Sequence, residues 1–290
     1  MEAIRYIEVE PPLPGFNRFI GAWLCTGRKN VLIDVGPANT AGTLIRCLSH
    51  AGIHRIDYVL LTHIHIDHAG GLARFLEHYP MAAVICHEKA IRHLTAPSKL
   101  WKASQQTLGK IAEAYGTPQP VQSLRLIPHT EARLPGLEII DTPGHASHHL
   151  SFSWEGNLFA GEAAGNYYAW EGSEYLRPAT PPRFFKDVFL ASIDRLSALE
   201  DQPICYAHAG RATSSHEMLT RFRLQILRWE DLIREECLGQ GKNKARSCVD
   251  ILLEADPELR RFGAMNTDTQ NRERYFIGNS VKGFIGFLSG

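Results

Sequence analysis

The sequence predicts an α/β (α+β) fold, in which sheets are covered by helices and an all-helical segment follows. Short apolar segments of strand type alternate with segments of helical spacing over about the first 210 residues. Beyond them, apolar residues such as Leu219, Phe222 and Ile226 recur at helical spacing only. This change predicts two domains, a mixed domain over 1–212 and a helical cap over 213–290.

The individual elements follow from the period of the apolar residues. Period-two or fully apolar runs predict strands at 4–9, 19–26, 31–35, 56–61, 83–86, 124–127, 137–141, 149–154, 158–161 and 203–206. Helical spacing predicts helices at 40–51, 69–79, 88–94, 98–115 and 185–199. The segment 98–115 is expected to form one continuous helix after Pro97.

Composition narrows the classes of function. The chain has 290 residues, 44% of them hydrophobic, which is enough for a substantial core. Its formal net charge of zero disfavours nucleic acid as a partner, and no segment approaches the ~18 apolar residues of a membrane span. The N-terminus lacks a secretory signal and the six cysteines form no C-x-x-C pair. We therefore expect reduced thiols, a cytoplasmic location and a small-molecule substrate.

The stretch T-H-I-H-I-D-H-A-G-G begins at Thr62 and directly follows an apolar strand. In an extended chain, His63, His65 and Asp67 point to the same side at ~6.6 Å intervals. Imidazoles in two such positions can converge on one ion at ~2.0–2.1 Å. The chain then turns into a helix, which directs His68 elsewhere. The stretch can therefore serve two neighbouring metal ions.

Three later strand ends present further side chains of the ligand type. The segment D-T-P-G-H presents His145, F-A-G-E presents Glu162, and I-C-Y-A-H presents His208. A lone histidine at a strand end is more often a hydrogen-bonded loop residue, so each position alone is a weak indication. The ordered set indicates a metal centre.

This series of motifs resembles the metallo-β-lactamase superfamily over about residues 1 to 212. The resemblance implies a four-layer αββα sandwich with a dinuclear site at one edge of the sheets. By position, it implies one metal held by His63, His65 and His145, and a second held by Asp67, His68 and His208. Asp34 matches a residue that supports the ligand loop in this family, although a polar strand end is an equal interpretation.

Glu162 departs from the family pattern, which usually has a bridging aspartate there. A glutamate is one methylene longer, which adds about 1.5 Å of reach. Three outcomes stay open: Glu162 bridges two metals, binds one metal and leaves the other site weak, or is not a ligand.

The ligand set implies a metal-dependent hydrolase. Two ions ~3.5–4 Å apart hold a bridging hydroxide and polarise a substrate oxygen. Lowering the water pKa from ~15.7 to ~7 is worth roughly 12 kcal/mol, so the metals determine the reaction class. The expected substrate is a small ester, thioester, lactone or phosphodiester, with Asp67 as the proton shuttle to the leaving group. Two divalent ions are expected, and zinc is the first expectation. The same ligands also suit iron and manganese.

The helical extension resembles that of glyoxalase II, where it covers the site. Asn166, Tyr167 and Tyr168 follow the acidic strand end and are candidate substrate contacts, with hairpin packing as the alternative. The last predicted helix, 275–288, is a candidate homodimer face, with packing against the catalytic domain as the alternative.

Two other functions on the same fold remain open. The first is an iron-dependent oxidoreductase similar to persulfide dioxygenases, which use a single iron and would tolerate a weakened site at Glu162. The second is a binding or regulatory protein without catalytic activity, against which the complete ligand set argues. The flavodiiron pattern has glutamate where His65 stands, so that relative is disfavoured.

Overall fold

A computed structural model of the chain describes residues 3–170, 172–208, 210–237 and 244–289. The chain divides into two compact units, an N-terminal unit Met1–Ile139 and a C-terminal unit Ile140–Gly290. The domains expected from the sequence, 1–212 and 213–290, stay a prediction.

The N-terminal unit contains a mixed sheet whose strands lie side by side in chain order. They are β1 (Ala3–Glu8), β2 (Gly21–Thr26), β3 (Val31–Ile33), β4 (Tyr58–Leu60), β5 (Ala83–Cys86) and β6 (Leu126–Pro128). The pairs β1–β2 and β2–β3 are antiparallel, whereas β3–β4, β4–β5 and β5–β6 are parallel. Helices in this unit are α1 (Ala41–His50), α2 (Ile66–Ala69), α3 (Leu72–His78), α4 (Glu88–Thr95), α5 (Ser98–Leu108) and α6 (Lys110–Tyr115).

The parallel strands of this sheet bring polar residues to one edge. The residues of β3 are fully buried, as expected for a strand covered on both faces. Carboxyl ends of parallel strands meet at the same edge, where ligands usually bind in open α/β sheets. Asp34 follows β3 directly and Thr62 lies two residues after β4, so the sheet brings these two side chains together.

Glycines divide two helices that the sequence predicted as continuous. The segment expected as one helix over 98–115 ends at Leu108 and restarts at Lys110, because Gly109 adopts φ 55° and ψ −123°. The helix expected from residue 69 is two helices, α2 and α3, separated by Gly70 and Gly71, where the N–H of Gly71 donates to Gly36 O (2.9 Å) instead of to a helical carbonyl. Both predictions of a single helix are therefore wrong at these positions.

The C-terminal unit contains a second mixed sheet and a separate hairpin. The strands are β7 (Glu138–Asp141, at the boundary), β8 (Leu150–Trp154), β9 (Asn157–Gly161), β10 (Asn166–Trp170), β11 (Ser173–Arg177), β12 (Ile204–Tyr206) and β13 (Gly210–Ala212). The sheet has the order β13-β12-β9-β8-β7, with β9 and β12 parallel, and β10 pairs with β11. The sequence did not predict β10, β11 or β13.

The C-terminal unit also contains helices, of which the first precedes β12 and the others follow β13, as predicted. They are α7 (Lys186–Ser197), α8 (Ser215–Leu232), α9 (Lys244–Ala255) and α10 (Thr267–Leu288), with a π-helical turn at Ile233–Cys237. Leu219, Phe222 and Ile226 are fully buried on α8, which confirms the predicted apolar face. On α10, the ring of Phe284 lies 4.7 Å from that of Phe184. This face of α10 packs inside its own unit, and a homodimer stays a prediction.

Among the cysteine side chains that the structure describes, Cys248 differs from expectation. Cys25, Cys47, Cys86 and Cys205 form no disulfide, whereas Cys248 is disulfide-bonded, so the prediction of six reduced cysteines is wrong. Sequence spacing cannot reveal such a bond, because it depends on which Cβ atoms approach in space. Within the described residues, no helix is both long and apolar enough to cross a membrane.

Candidate metal centre

In the N-terminal unit, the predicted ligands lie on a loop after β4. We call residues 62–68 the ligand loop. His63 Nε2 lies 3.1 Å from His65 Nδ1, and His63 is buried. Two nitrogens bound at ~2.0–2.1 Å to one tetrahedral ion lie about 3.3 Å apart. The spacing of these two imidazoles therefore fits a shared metal ion.

The first turn of α2 directs the other two ligand-type residues of the loop. Asp67 and His68 lie in this turn, and His68 Nε2 is 3.5 Å from Asp67 Oδ2. The helical turn begins at Ile66, three residues earlier than predicted, which places both side chains on helical backbone. A carboxylate oxygen and a buried imidazole nitrogen form a second pair of metal-ligand type.

Asp34 supports this loop from the end of β3. Its Oδ1 accepts a hydrogen bond from Thr62 N (2.9 Å), and its Oδ2 accepts one from Thr62 Oγ1 (2.8 Å). His68 Nδ1 lies 3.1 Å from Oδ2, and since an ionised carboxylate only accepts, Nδ1 carries the proton. The Nε2 of His68 is therefore the atom suited to a metal. The contact expected between Asp34 and the ligand loop is present.

Thr62 fixes the tautomer of His63 in the same way. Its hydroxyl donates its one proton to Asp34, and His63 Nδ1 lies 3.0 Å from Thr62 Oγ1. The hydroxyl oxygen must therefore accept from His63 Nδ1, which leaves Nε2 with a lone pair. Thr62 was not singled out in the sequence, although it stands next to the first histidine of the motif.

In the C-terminal unit, Glu162 lies between two histidines. His145 Nε2 is 2.8 Å from Glu162 Oε2, and His208 Nε2 is 3.4 Å from Glu162 Oε1. Glu162 follows β9 and His208 follows β12, and these strands are parallel and adjacent, with Tyr206 opposite Gly161. Each carboxylate oxygen therefore faces a different imidazole nitrogen.

The electrostatics keep Glu162 ionised. Burial alone would raise the pKa of this carboxyl, but the imidazoles of His145 and His208 outweigh burial and hold the pKa well below its usual value. An ionised carboxylate at this position is the form that binds a metal.

Backbone and side-chain contacts orient His145. The residue follows Gly144, which has φ 146°, and a Cβ on Gly144 would lie 2.5 Å from Phe189 Cδ2. His145 Nδ1 lies 2.6 Å from the carbonyl oxygen of Ala179 and therefore donates to it. Its Nε2 is thereby left as the ligand atom.

A hydrogen-bonded chain supports the backbone of Glu162. Its N–H donates to His149 Nε2 (3.0 Å), so the proton of His149 is on Nδ1, 2.8 Å from Thr142 Oγ1. Thr142 Oγ1 lies 3.0 Å from Ser151 Oγ, which donates to Ala160 O. Sequence reasoning did not identify these residues as supporting ones, although Thr142 and His149 flank the D-T-P-G-H motif.

The three candidate substrate contacts are buried on or beside the β10–β11 hairpin. Asn166 is hydrogen-bonded to Glu162 and Arg177 when its amide nitrogen faces the carboxylate. Tyr167 donates to Glu174 Oε1 (2.8 Å), and the guanidinium of Arg272 lies over the ring of Tyr168 at 5.3 Å. Their role in substrate binding stays a prediction.

Another pair of histidines in the N-terminal unit fits a metal less well. The rings of His87 and His129 lie 4.5 Å apart. The Nδ1 of His87 accepts from Lys89 N, and the Nδ1 of His129 accepts from Glu88 N. Each ring therefore carries its proton on Nε2, and a metal at Nε2 would require an anionic imidazolate.

Comparison with known proteins decides the family. The sequence model that describes the metallo-beta-lactamase superfamily matches residues 21–208 of this chain. This range includes every predicted ligand. The chain belongs to the metallo-beta-lactamase superfamily. Members of this superfamily are metallo-hydrolases that typically bind divalent metals, and the clusters described above suit such ions. The predicted family and α/β class are confirmed.

Relatives agree with this assignment. The chain is 28% identical over 218 residues to the metallo-beta-lactamase fold-containing protein ST1585 of Sulfurisphaera tokodaii, covering 70% of this chain and 79% of that one. The solved structure of ST1585 superposes with a TM-score of 0.71 at 22% identity and covers 99% of both chains. The superposition shows that the C-terminal helices belong to a fold already seen in this superfamily.

Two further relatives have names that indicate hydrolysis. The probable metallo-hydrolase MJ0888 of Methanocaldococcus jannaschii is 31% identical over 156 residues, covering 53% of this chain and 72% of its own. The hydroxyacylglutathione hydrolase of Pectobacterium carotovorum is 27% identical over 190 residues, covering 64% of this chain and 60% of its own. These names support a hydrolase activity in general terms.

Proposed function

We propose that the protein is a dinuclear metallo-hydrolase that cleaves a small thioester or ester. The observation that carries the proposal is the position of Glu162, whose two carboxylate oxygens face His145 and His208. A bridging carboxylate requires one oxygen for each metal, and the separate contacts of the two Glu162 oxygens support that role.

The ligands follow from the family pattern and from the atoms available. By the family pattern, His63, His65 and His145 would hold a first ion, Asp67, His68 and His208 would hold a second, and Glu162 would supply its carboxylate to them. Hydrogen bonds to Asp34, Thr62 and Ala179 leave Nε2 of three of these histidines as the ligand atom. Histidine and carboxylate ligands suit zinc, and iron and manganese are the alternatives.

The chain's own residues would complete the reaction. Divalent ions supply Lewis acidity and lower the pKa of bound water toward neutrality. The Oδ2 of Asp67 lies beside His68 Nε2, so this carboxylate stands next to the proposed second ion. Asp67 passes a proton to the leaving group in this proposal.

The relatives indicate the substrate class. Several curated relatives are hydroxyacylglutathione hydrolases, which act on a thioester by name. A thioester is therefore the first candidate substrate, and a carboxylic ester, a lactone or a phosphodiester is the alternative. The proposal includes no nucleic-acid partner, in keeping with the zero net charge of the chain.

The test is a substrate panel with the zinc-loaded protein. We expect turnover of a hydroxyacyl thioester of glutathione to exceed that of an aryl ester, a lactone and an aryl phosphodiester. His145→Ala should abolish turnover, because it removes a proposed ligand. No turnover of any of the four classes by protein with its full metal content would contradict the proposal.

Asp67→Asn tests the proton-transfer role. It should lower kcat by about 10²–10⁴-fold, the usual contribution of a positioned acid or base. Metal content is measured on the same sample to separate this effect from loss of an ion. Asp187→Asn, at an exposed position on α7, is the control and should leave kcat unchanged. Full turnover in Asp67→Asn with both ions retained would reject the role.

A further inference from the structure

We infer that Asn166 is a positioning residue for the Glu162 carboxylate, and that helix α10 holds it in place through Arg177 and Glu273. The inference rests on the proposed function, in which Glu162 is a metal ligand. It assigns to the hairpin and to the C-terminal helix a part in building the metal centre.

The amide of Asn166 contacts the oxygen of Glu162 that faces His208. With its nitrogen toward acceptors, Asn166 Nδ2 donates to Glu162 Oε1 (3.1 Å) and to Gly165 O (3.1 Å). Its Oδ1 accepts from Arg177 Nη2 (3.1 Å). Only this orientation pairs every donor with an acceptor, so Arg177 sets which way the amide faces.

Both amide hydrogens of Asn166 are used inside the protein. The side chain is 2% exposed, and its two hydrogens go to Glu162 and Gly165. A substrate would have to displace one of these bonds. The contacts therefore favour a positioning role over the substrate contact that the sequence suggested.

Arg177 is held in turn by α10. Its Nε donates to Glu273 Oε2, and its Nη1 donates to Pro178 O (3.2 Å). Glu273 is fully buried, and its Oε1 accepts from Arg272 Nε (2.9 Å). Two buried cations thus contact one buried anion, which fixes the guanidinium of Arg177 against α10.

The β10–β11 hairpin places Asn166 next to Arg177, and these two residues connect Glu162 to Glu273. Asn166 on β10 is directly opposite Arg177 on β11 in the antiparallel register. A chain of contacts therefore runs from Glu162 through Asn166 and Arg177 to Glu273. Glutamate has one more rotatable bond than aspartate, so its carboxylate needs an additional contact to keep one orientation.

The test measures metal affinity in variants of Asn166. Asn166→Leu removes the hydrogen bonds at similar size, and Asn166→Asp keeps the Arg177 contact but places an acceptor against Glu162. Zinc affinity is measured against a chromophoric chelator, the visible spectrum is recorded on cobalt-loaded protein, and folding is checked by circular dichroism. We expect the weaker of two ions to bind 10–100-fold less tightly and the cobalt bands to shift.

A matched control separates this role from general loss of charge pairs. Arg221 bridges the same hairpin to the helical segment through Glu174 and Glu258 and has no described contact with Glu162. Arg221→Met should therefore leave both affinities and the cobalt spectrum unchanged. Glu273→Gln should give the same spectral shift as the Asn166 variants at lower amplitude.

The outcomes distinguish the inference from the proposed function. Wild-type affinities and spectrum in a folded Asn166→Leu or Asn166→Asp protein would overturn the role of Asn166. An unchanged spectrum in Glu273→Gln would overturn the part assigned to α10. If the wild-type protein itself binds fewer than two ions, the proposed dinuclear function fails instead.

Discussion

At the scale of single residues, Asp34 orients two parts of the ligand loop. It adopts φ 60°, a left-handed conformation that aspartate and asparagine tolerate better than other side chains. Its carboxylate accepts from the backbone and hydroxyl of Thr62 and contacts His68. The left-handed backbone of Asp34 and its buried carboxylate therefore both contribute to supporting the ligand loop.

Two substitutions separate these contributions. Asp34→Ala leaves three buried donors without their acceptor, at about 1–3 kcal/mol each, and adds left-handed strain of roughly 1–2 kcal/mol. We expect it to lower the free energy of unfolding by about 3 kcal/mol or more, and Asp34→Asn by less. Urea unfolding of the metal-free protein measures both.

Asp194→Ala serves as the control, since that side chain is exposed on α7. Its effect should stay within about 0.5 kcal/mol. An equally small effect of Asp34→Ala would show that the loop does not depend on this carboxylate.

At this scale the sequence indicates the candidate ligands better than their supports. His63, His65 and His68 could be singled out because spacing on an extended strand and a following helix is a local property. The contacts of Thr62 with Asp34, and of Asn166 with Arg177, join residues distant in the chain or across a hairpin. They depend on strand register, which this sequence does not specify by itself.

At the scale of elements, the turn before His145 is set by one glycine. A Cβ at Gly144 would meet both the ring and the backbone of Phe189 on α7. Gly144→Ala should cost about 1–3 kcal/mol of stability through overpacking and displace His145, weakening metal binding at least tenfold. Thermal unfolding and zinc titration measure the two effects.

Gly156→Ala is the matched control for backbone strain. Gly156 has φ 65° in the β8–β9 turn, and a Cβ there meets no atom within 4 Å. It should cost about 1 kcal/mol without changing metal affinity. Equal metal affinities in the two variants would show that the Phe189 contact does not position His145.

Elements were predictable where one apolar period dominates. The buried strands β3, β4 and β5 and the helix α1 were indicated within three residues of their observed ends. The hairpin β10–β11 was not, because the four-residue apolar run Y-Y-A-W in its first strand is too short to be assigned to a strand or a helix by periodicity alone. The break at Gly109 was missed because an isolated glycine is tolerated in many helices.

At the scale of the whole molecule, the C-terminal helix contributes to the core of its unit. Phe284 is fully buried, and its ring lies 5.8 Å from Trp229 on α8. Phe284→Ala should lower the free energy of unfolding by about 3–5 kcal/mol. Lys282→Ala, on an exposed face of the same helix, should change it by less than about 0.5 kcal/mol.

Denaturant unfolding followed by circular dichroism measures both variants. Similar small effects would show that α10 contributes little to the stability of its unit. Such a result would also weaken the contact chain from Glu273 to Glu162, since that chain needs an ordered helix.

Metal content tests the central claim most directly. The protein is expressed in medium balanced in zinc, iron and manganese, purified by gel filtration without chelators, and analysed for elements per chain. We predict close to two ions per chain, mainly zinc, because Glu162 offers one oxygen toward each of two histidines. One ion per chain, mainly iron, would contradict the dinuclear account and make persulfide oxidation the reaction to test.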